Sequence, residues 1–519
     1  MRVLRGCLYA AVVAAILAVF ETAAQTTLPQ PGSGAQPTFA VTSKLVFLDV
    51  TVLDKKGRPV TTGLSQDDFR IAEDNRPQRI FSFEAPQAHT PEQHGQDTEA
   101  ASARTILVLD QLNSSLQDFA YIKTEARNFL EGQPRELRAP AELMVVGNRS
   151  LELVQGWTRD REEMLSALRE VRSDIPYKQM KSDFWTERIG QSMDALQQIA
   201  IENAGTPGRK NILWVGYGAP AILTGNMPVQ NRDAVERYIH AAVNLMVDSR
   251  VSLFLIYPGL PPTGWVSIPA NNADQVENAN SSSALSADDP FGGEVNFSAI
   301  AQDTGGRLFY NRNDIDGELK ESEELGSEYY TLTYQPQGGD DNGRFRRIRV
   351  TVRDPNLRVV TRDGYYAPDK NAPQNPRLEA MHRLAEAERA TVTFATLPVS
   401  VSNIVRHPDT ESADFTVRLP AGDLTWTAAT DGNSTANLMV ATAGLGGDRT
   451  ILTAKVAQAT VATRTEDTQH LEGRTISFRL SVRIPKKAEF VRVAIESEGG
   501  VKVGTAELNR GEIDAAPAS

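Results

Sequence analysis

Hydrophobic and polar residues follow two rhythms along this chain. From Phe39 to Phe83 the period is two: Leu45, Phe47, Val50 and Val52, then Val60, Ile71, Ile80, Phe81 and Phe83. The turn residues Lys55-Lys56-Gly57 and Glu73-Asp74-Asn75 interrupt them. Such alternation predicts about four short, half-buried strands. Strands this short make a poor core by themselves and need partners from elsewhere.

After a polar stretch from 85 to 103 the rhythm changes. Apolar runs at Ile106–Leu109, Glu142–Val146, Asn211–Val215, Val251–Tyr257 and Arg307–Tyr310 read as strands, with a hairpin partner for the second at Leu151–Val154. Between them apolar residues recur at helical spacing: Leu116, Phe119, Ile122, Ala126, Phe129 and Leu130; Met164, Leu165, Leu168 and Val171; Ile189, Met193, Leu196 and Ile199; Tyr238, Ile239, Ala242 and Met246. Strands alternating with helices predict one doubly wound parallel sheet over residues 101–328. The polar insertion Pro261–Glu294 is too long for a tight connection and is expected to be mobile.

Period two returns at Tyr330, Leu332 and Tyr334 and again at Ile348, Val350 and Val352. These strands could supply what the N-terminal ones lack, so residues 38–100, which include the polar linker, and 329–368 are expected to form one β-sandwich with the α/β domain inserted between them. A proline-rich linker with a short charged helix (369–389) leads to a second β-sandwich (390–509), predicted from strand-like runs such as Phe415, Val417 and Leu419 and Val491, Val493 and Ile495. Residues 510–519 read as a loose tail.

Composition bounds the chemistry. Arg2 and Arg5 precede an apolar run from Leu8 to Phe20 and then Thr22-Ala23-Ala24. This predicts a removed export signal (1–24), with a retained N-terminal anchor as the alternative, a flexible leader (25–37) and a secreted or periplasmic protein. No later run approaches the ~20 apolar residues of a transmembrane helix. The single cysteine, Cys7, falls within the signal, which removes thiol catalysis and disulfides from the rest of the chain. A net charge of −12 repels nucleic acid and anionic lipid unless basic residues are concentrated somewhere, and no such patch stands out along the sequence. The chain lacks Gly-x-Ser-x-Gly, the phosphate-binding Gly-x-x-x-x-Gly-Lys loop and His-Glu-x-x-His, and its histidines (89, 94, 240, 382, 407 and 470) are scattered. The expectation is a protein that is not an enzyme.

The most informative stretch is Arg104-Thr-Ile-Leu-Val-Leu-Asp110-Gln-Leu-Asn113-Ser114-Ser115, an apolar strand that stops on an aspartate. Open parallel sheets meet their ligands beyond the carboxyl ends of the strands. Asp110, Asn113 and Ser114 are therefore candidate partner-binding residues. Tyr177, Phe184, Trp185, Tyr217 and Trp265 are placed on the same edge, either as anchors for a partner or as caps over the core.

These residues, together with Val52-Leu-Asp54-x-x-Gly57, Gly63-Leu64-x-x-x-Asp68-Phe69, Pro207-Gly208-Arg209-Lys210-Asn211 and Gly364-Tyr365, resemble the von Willebrand factor A-related proteins of acidobacterial and similar bacterial secretomes. The resemblance covers about residues 38–368. It implies a Rossmann-like von Willebrand factor A domain inserted in a β-sandwich and followed by a C-terminal β-sandwich. It also implies protein–protein interaction or adhesion at the carboxyl edge of the sheet. Such domains commonly hold Mg²⁺ through Asp-x-Ser-x-Ser, a threonine and a later aspartate, because the ion demands hard oxygen ligands. Here the resemblance assigns Asp110, Ser114 and Thr186 to the metal, with Ser192 as another substitute for the threonine. Leu112 replaces the first serine and Tyr217 the late aspartate, which makes the site degenerate. The alternative for Asp110 and Asn113 is to brace the loop backbone. The alternative function is a carbohydrate- or surface-binding envelope protein acting through the C-terminal sandwich, with Trp426 as the residue to test.

Overall fold

Two distant stretches of chain build the first pair of sheets. The computed structural model describes residues 45–89, 102–147, 151–173, 184–222, 229–260, 297–310, 314–337, 341–369, 376–429, 432–447, 449–497 and 502–518. The proposed export signal and leader, and the insertion 261–294, lie outside the described residues. The N-terminal alternation gives β1 (Val46–Leu53), β2 (Phe69–Glu73), β3 (Arg76–Gln78) and β4 (Ile80–Glu84). The β2–β3 turn places Asp74 and Asn75 at φ 48° and 63°, the left-handed pair that a two-residue hairpin requires.

The α/β segment follows as β5 (Arg104–Asp110), α1 (Leu116–Glu131), β6 (Glu136–Val146), β7 (Leu151–Asp160), α2 (Arg161–Glu170), α3 (Phe184–Glu202), β8 (Lys210–Val215), α4 (Val229–Asp248), β9 (Val251–Ile256), α5 (Phe297–Asp303), β10 (Arg307–Phe309) and α6 (Ile315–Ser327). Its strands form one sheet in the order β10-β9-β8-β5-β6-β7, parallel except for the antiparallel edge pair β6–β7. Every residue of β8 and β9 is buried, as their unbroken apolar runs demand of strands covered on both faces. Helix α1 starts where Ser115 accepts a hydrogen bond from the Asp118 N–H (3.0 Å) and buries Phe119, Ile122, Ala126, Phe129 and Leu130. Leu116, expected in that stripe, is instead 52% exposed, because it precedes the first buried turn.

Strands β11 (Tyr330–Tyr334), β12 (Phe345–Val352), β13 (Arg358–Val360) and β14 (Gly364–Tyr366) pair with the N-terminal ones. The sheets are β13-β1-β11-β4 and β14-β12-β2-β3, with Leu48 opposite Leu332 and Val350 opposite Ile71. Leu48, Val50, Phe69, Ile71, Tyr330 and Ile348 meet between them. The joint with the α/β segment is polar. The fully buried Arg209 donates to Gly305 O (2.8 Å) and Thr51 Oγ1 (3.4 Å). His89, read from sequence as part of a solvated linker, is buried and stacked on Tyr329 at 4.3 Å. Burial holds its pKa down at about 4.

Helix α7 (Pro376–Arg389) leads into β15 (Ser400–His407), β16 (Ser412–Pro420), β17 (Thr427–Ala428), β18 (Asn433–Leu445), β19 (Ile451–Arg464), β20 (Thr475–Arg483), β21 (Phe490–Ser497), β22 (Val503–Asn509) and α8 (Arg510–Asp514). One sheet runs β15-β16-β20, the other β17-β18-β21-β22 with β19 also paired to β18. The segment expected as a linker is core. Ala380, Leu384 and Ala387 of α7 belong to the same apolar cluster as Leu196 and Ile199 of α3 and Ala441 and Ala494 of β18 and β21. The tail is not loose either: Ile513 is buried and Pro517 O accepts the Arg406 N–H at 2.9 Å. No helix among the described residues is long and apolar enough to cross a membrane.

Candidate functional site

Parallel pairing fixes where β5 ends. Leu109 lies opposite Val145 of β6 and Val215 of β8, so Asp110 sits at the carboxyl edge, where the chain of β8 leaves the sheet through Gly216-Tyr217-Gly218. The Asp110 side chain is fully buried. Oδ1 accepts from the Asn113 backbone N–H (2.9 Å) and from Asn113 Nδ2 (3.1 Å). Oδ2 accepts from Asn113 Nδ2 (3.2 Å), Trp214 Nε1 (3.1 Å) and the Gly218 N–H (2.9 Å). Gly216 is required by contact: at φ 148° its added Cβ would stand 2.2 Å from Asp110 Cβ.

The surroundings extend this network. Asn113 Nδ2 also donates to Ser192 Oγ (2.9 Å), so Ser192 joins the network through Asn113. The buried Arg188 donates to Leu112 O through Nε (3.1 Å) and Nη2 (2.7 Å) and lies within electrostatic reach of Asp110. Burial raises the Asp110 pKa to about 6, against the opposing pull of the Asn113, Trp214 and Gly218 donors. The Tyr217 ring lies 5.6 Å from that of Tyr257, and burial pushes its hydroxyl up to about 12.

These contacts change the roles assigned from sequence. Asp110, Asn113, Ser114 and Tyr217 are all buried, so as placed none offers a side chain to a partner. Asp110 and Asn113 order the loops beneath the rim, and their bracing reading describes what the structure places there. The side chains of Phe184, Trp185 and Thr186 lie outside the described residues, as do Tyr177 and Trp265.

The donor set does not fit Mg²⁺. The ion needs about six oxygen ligands, with carboxylates directed at it. Both oxygens of Asp110 instead face N–H donors, and a guanidinium stands nearby. Ser114 Oγ and Asn113 Oδ1 are buried without a hydrogen-bond partner, but two neutral oxygens beside one committed carboxylate do not make a divalent site. No group of three acidic, histidine or cysteine side chains among the described residues could hold a metal.

Trp214 is the residue that sequence reasoning missed. Its place in a fully buried strand was the available signal, because a buried indole N–H must find an acceptor. In the second sandwich, Trp426 donates to Ala421 O (2.9 Å) and packs against the core, so its ring is engaged internally. No protein-family model and no curated protein matches the chain. Among solved structures, the crystal structure of the SpRpn10 VWA domain is similar over 30% of this chain and 74% of that one, at 15% identity and a TM-score of 0.20. A likeness of that size bears on neither fold nor function.

Proposed function

We propose that this is an exported, non-enzymatic interaction protein. Its α/β module, of von Willebrand factor A type, docks a protein partner on the rim at the carboxyl ends of β5 and β9 without a metal ion. Counted from β5 as strand 1, the sheet order is 3-2-1-4-5-6, with strand 3 antiparallel. That arrangement supports a doubly wound module whose switch point lies at β5. The observation that carries the reading is apolar exposure: Leu116 at the start of α1 is 52% exposed and Leu260 beyond β9 is 74% exposed. Both follow strands whose carboxyl ends form the edge braced by Asp110. Large apolar side chains open to water on such an edge suit a protein contact.

The test is affinity capture from the native envelope fraction, with and without EDTA, by the wild type and by Leu116→Asp and Leu260→Asp. Capture that survives EDTA and is lost in both variants is the expected result. Capture abolished by the chelator, or indifferent to both substitutions, defeats the reading.

A further inference from the structure

An acidic chain conceals one strongly basic surface. Residues 344–349, Arg-Phe-Arg-Arg-Ile-Arg, hold four arginines in six positions of a protein with net charge −12. Along β12 the period of two turns Ile348 and Val350 into the sandwich core, while Phe345, Arg347 and Arg349 share the opposite face, where Phe345 is covered beside Tyr366 and the two arginines are exposed. Arg349 lies opposite Ala72, and Arg70 of β2, also exposed, lies opposite Thr351. The expectation of no concentrated basic stretch is corrected here: the run is contiguous in sequence, and the fold gathers all four arginines around one cavity.

The arginines surround a cavity of about 320 Å³ lined by Arg344, Arg346, Arg347, Arg349, Asp74 and Asn75, with Ala72 and Phe345 as its apolar wall. The acid in that lining, Asp74, acts as a brace. Its Oδ2 accepts from Arg346 Nη1 (3.1 Å) and its Oδ1 from the Arg347 backbone N–H (3.0 Å), which fixes the left-handed hairpin turn against β12. Arg347 lies near enough to the exposed Asp363 carboxyl to favour its charge but makes no salt bridge among the described residues. Arg344 and Arg349 likewise have no carboxylate within salt-bridge range among the described residues. The cavity is thus polarised by three guanidiniums that no ion pair among the described residues neutralises, plus one held in place.

We propose that this cavity, between β12 and the β2–β3 turn, binds a phosphomonoester group. Guanidinium forks match paired phosphate oxygens, and several of them facing one small cavity favour a dianion over a single carboxylate. The volume exceeds that of a bare phosphate, and the Phe345–Ala72 wall accepts a small organic group attached to it. The phosphate could be carried by a soluble compound or by a lipid headgroup. The site lies on the β-sandwich, apart from the rim at β5, and stands whether or not that rim docks a partner.

The experiment is calorimetry of the full chain at low ionic strength with inorganic phosphate and glycerol phosphate. Flotation with phosphatidylcholine vesicles, with and without phosphatidic acid, accompanies it. Glycerol phosphate is expected to bind, and Arg347→Ala/Arg349→Ala, both exposed and so tolerated by the fold, should weaken it by about tenfold or more. Arg347→Lys/Arg349→Lys, which keeps charge but loses the fork, should fall between. Lys55→Ala/Lys56→Ala, on another turn, should bind as the wild type does. Binding of glycerol phosphate alone assigns a soluble source, and added flotation with phosphatidic acid assigns a headgroup. Absence of binding in all arms, or equal weakening by the lysine control, overturns the proposal.

Discussion

The Trp214 indole donates to Asp110 Oδ2 at 3.1 Å, tying the penultimate residue of β8 to the last residue of β5. This contact and the Gly218 N–H reach the same oxygen, so one carboxylate sets how the chain leaves both strands. Trp214→Phe keeps most of the apolar volume, removes that donor and leaves a small cavity in the fully buried site. It should cost at least about 1.5–3 kcal/mol, the range for a hydrogen bond to a charged group, with the cavity adding to it. Asp110→Ala should cost more, because it strips the Asn113, Trp214 and Gly218 donors together. Urea unfolding midpoints measure both, and a Trp214→Phe midpoint equal to wild type would refute the role given to the indole.

The same donor set predicts indifference to metal. A ligand that binds only the folded state raises the midpoint of unfolding. Millimolar Mg²⁺ and excess EDTA should therefore leave the thermal midpoint where it is. A clear rise with Mg²⁺ that Asp110→Ala abolishes would show that the carboxylate can leave its N–H donors for a cation.

Much of this architecture is written in hydrophobic rhythm. The run Asn211–Val215 marks β8 to within a residue because a strand covered on both faces needs an unbroken apolar stretch. Strand β6 is longer than its apolar part, since pairing with β7 carries it back to Glu136 through irregular register. Burial of charge is harder to read. Glu386 and Glu388 look like the solvated side of a linker helix, yet both are buried because α7 is packed from more than one side. His89 is concealed in the same way, by a stacking partner 240 positions further along the chain. The acceptor of Trp214 is likewise set by strand order, which local pattern does not encode.

Those buried glutamates predict a pH dependence. Burial raises Glu388 from 4.5 to about 8, and burial with the neighbouring Asp194 charge raises Glu386 to about 7. Glu202 rises to about 8 and Asp110 to about 6 for the same first cause. A carboxyl raised in the folded state holds its proton more tightly there than in the unfolded chain. Its contribution is complete below the unfolded pKa and is lost as pH rises through the folded value. His89 and Lys210, lowered to about 4 and about 7 by burial, have the opposite sign, but the raised carboxyls outnumber them. Stability should fall from pH 5 to 8, and Glu388→Gln should gain on the wild type steadily across that interval. Parallel urea midpoints at the two pH values would contradict this.

The joint between the sandwich and the α/β segment offers the sharpest energetic test. Arg250, which follows α4 at φ 54°, donates through Nε to Asp49 Oδ2 (3.2 Å), through Nη2 to Asp49 Oδ1, and through Nη2 to Thr331 Oγ1 (3.0 Å). One guanidinium thus grips β1 and β11 together. Burial alone would raise the Asp49 carboxyl, but the Arg250 charge and hydrogen bond hold it below its usual value. Its contribution is therefore present above the unfolded pKa of about 3.8 and lost on acidification. Arg250→Ala leaves this carboxylate largely buried without its main partner, which should cost about 3 kcal/mol at neutral pH. Asp49→Asn in that background should recover part of the loss, because the charge needing a partner is gone. A double-mutant cycle in urea measures the coupling directly. Strictly additive losses would mean that the Arg250–Asp49 pair contributes nothing as a pair to the joint.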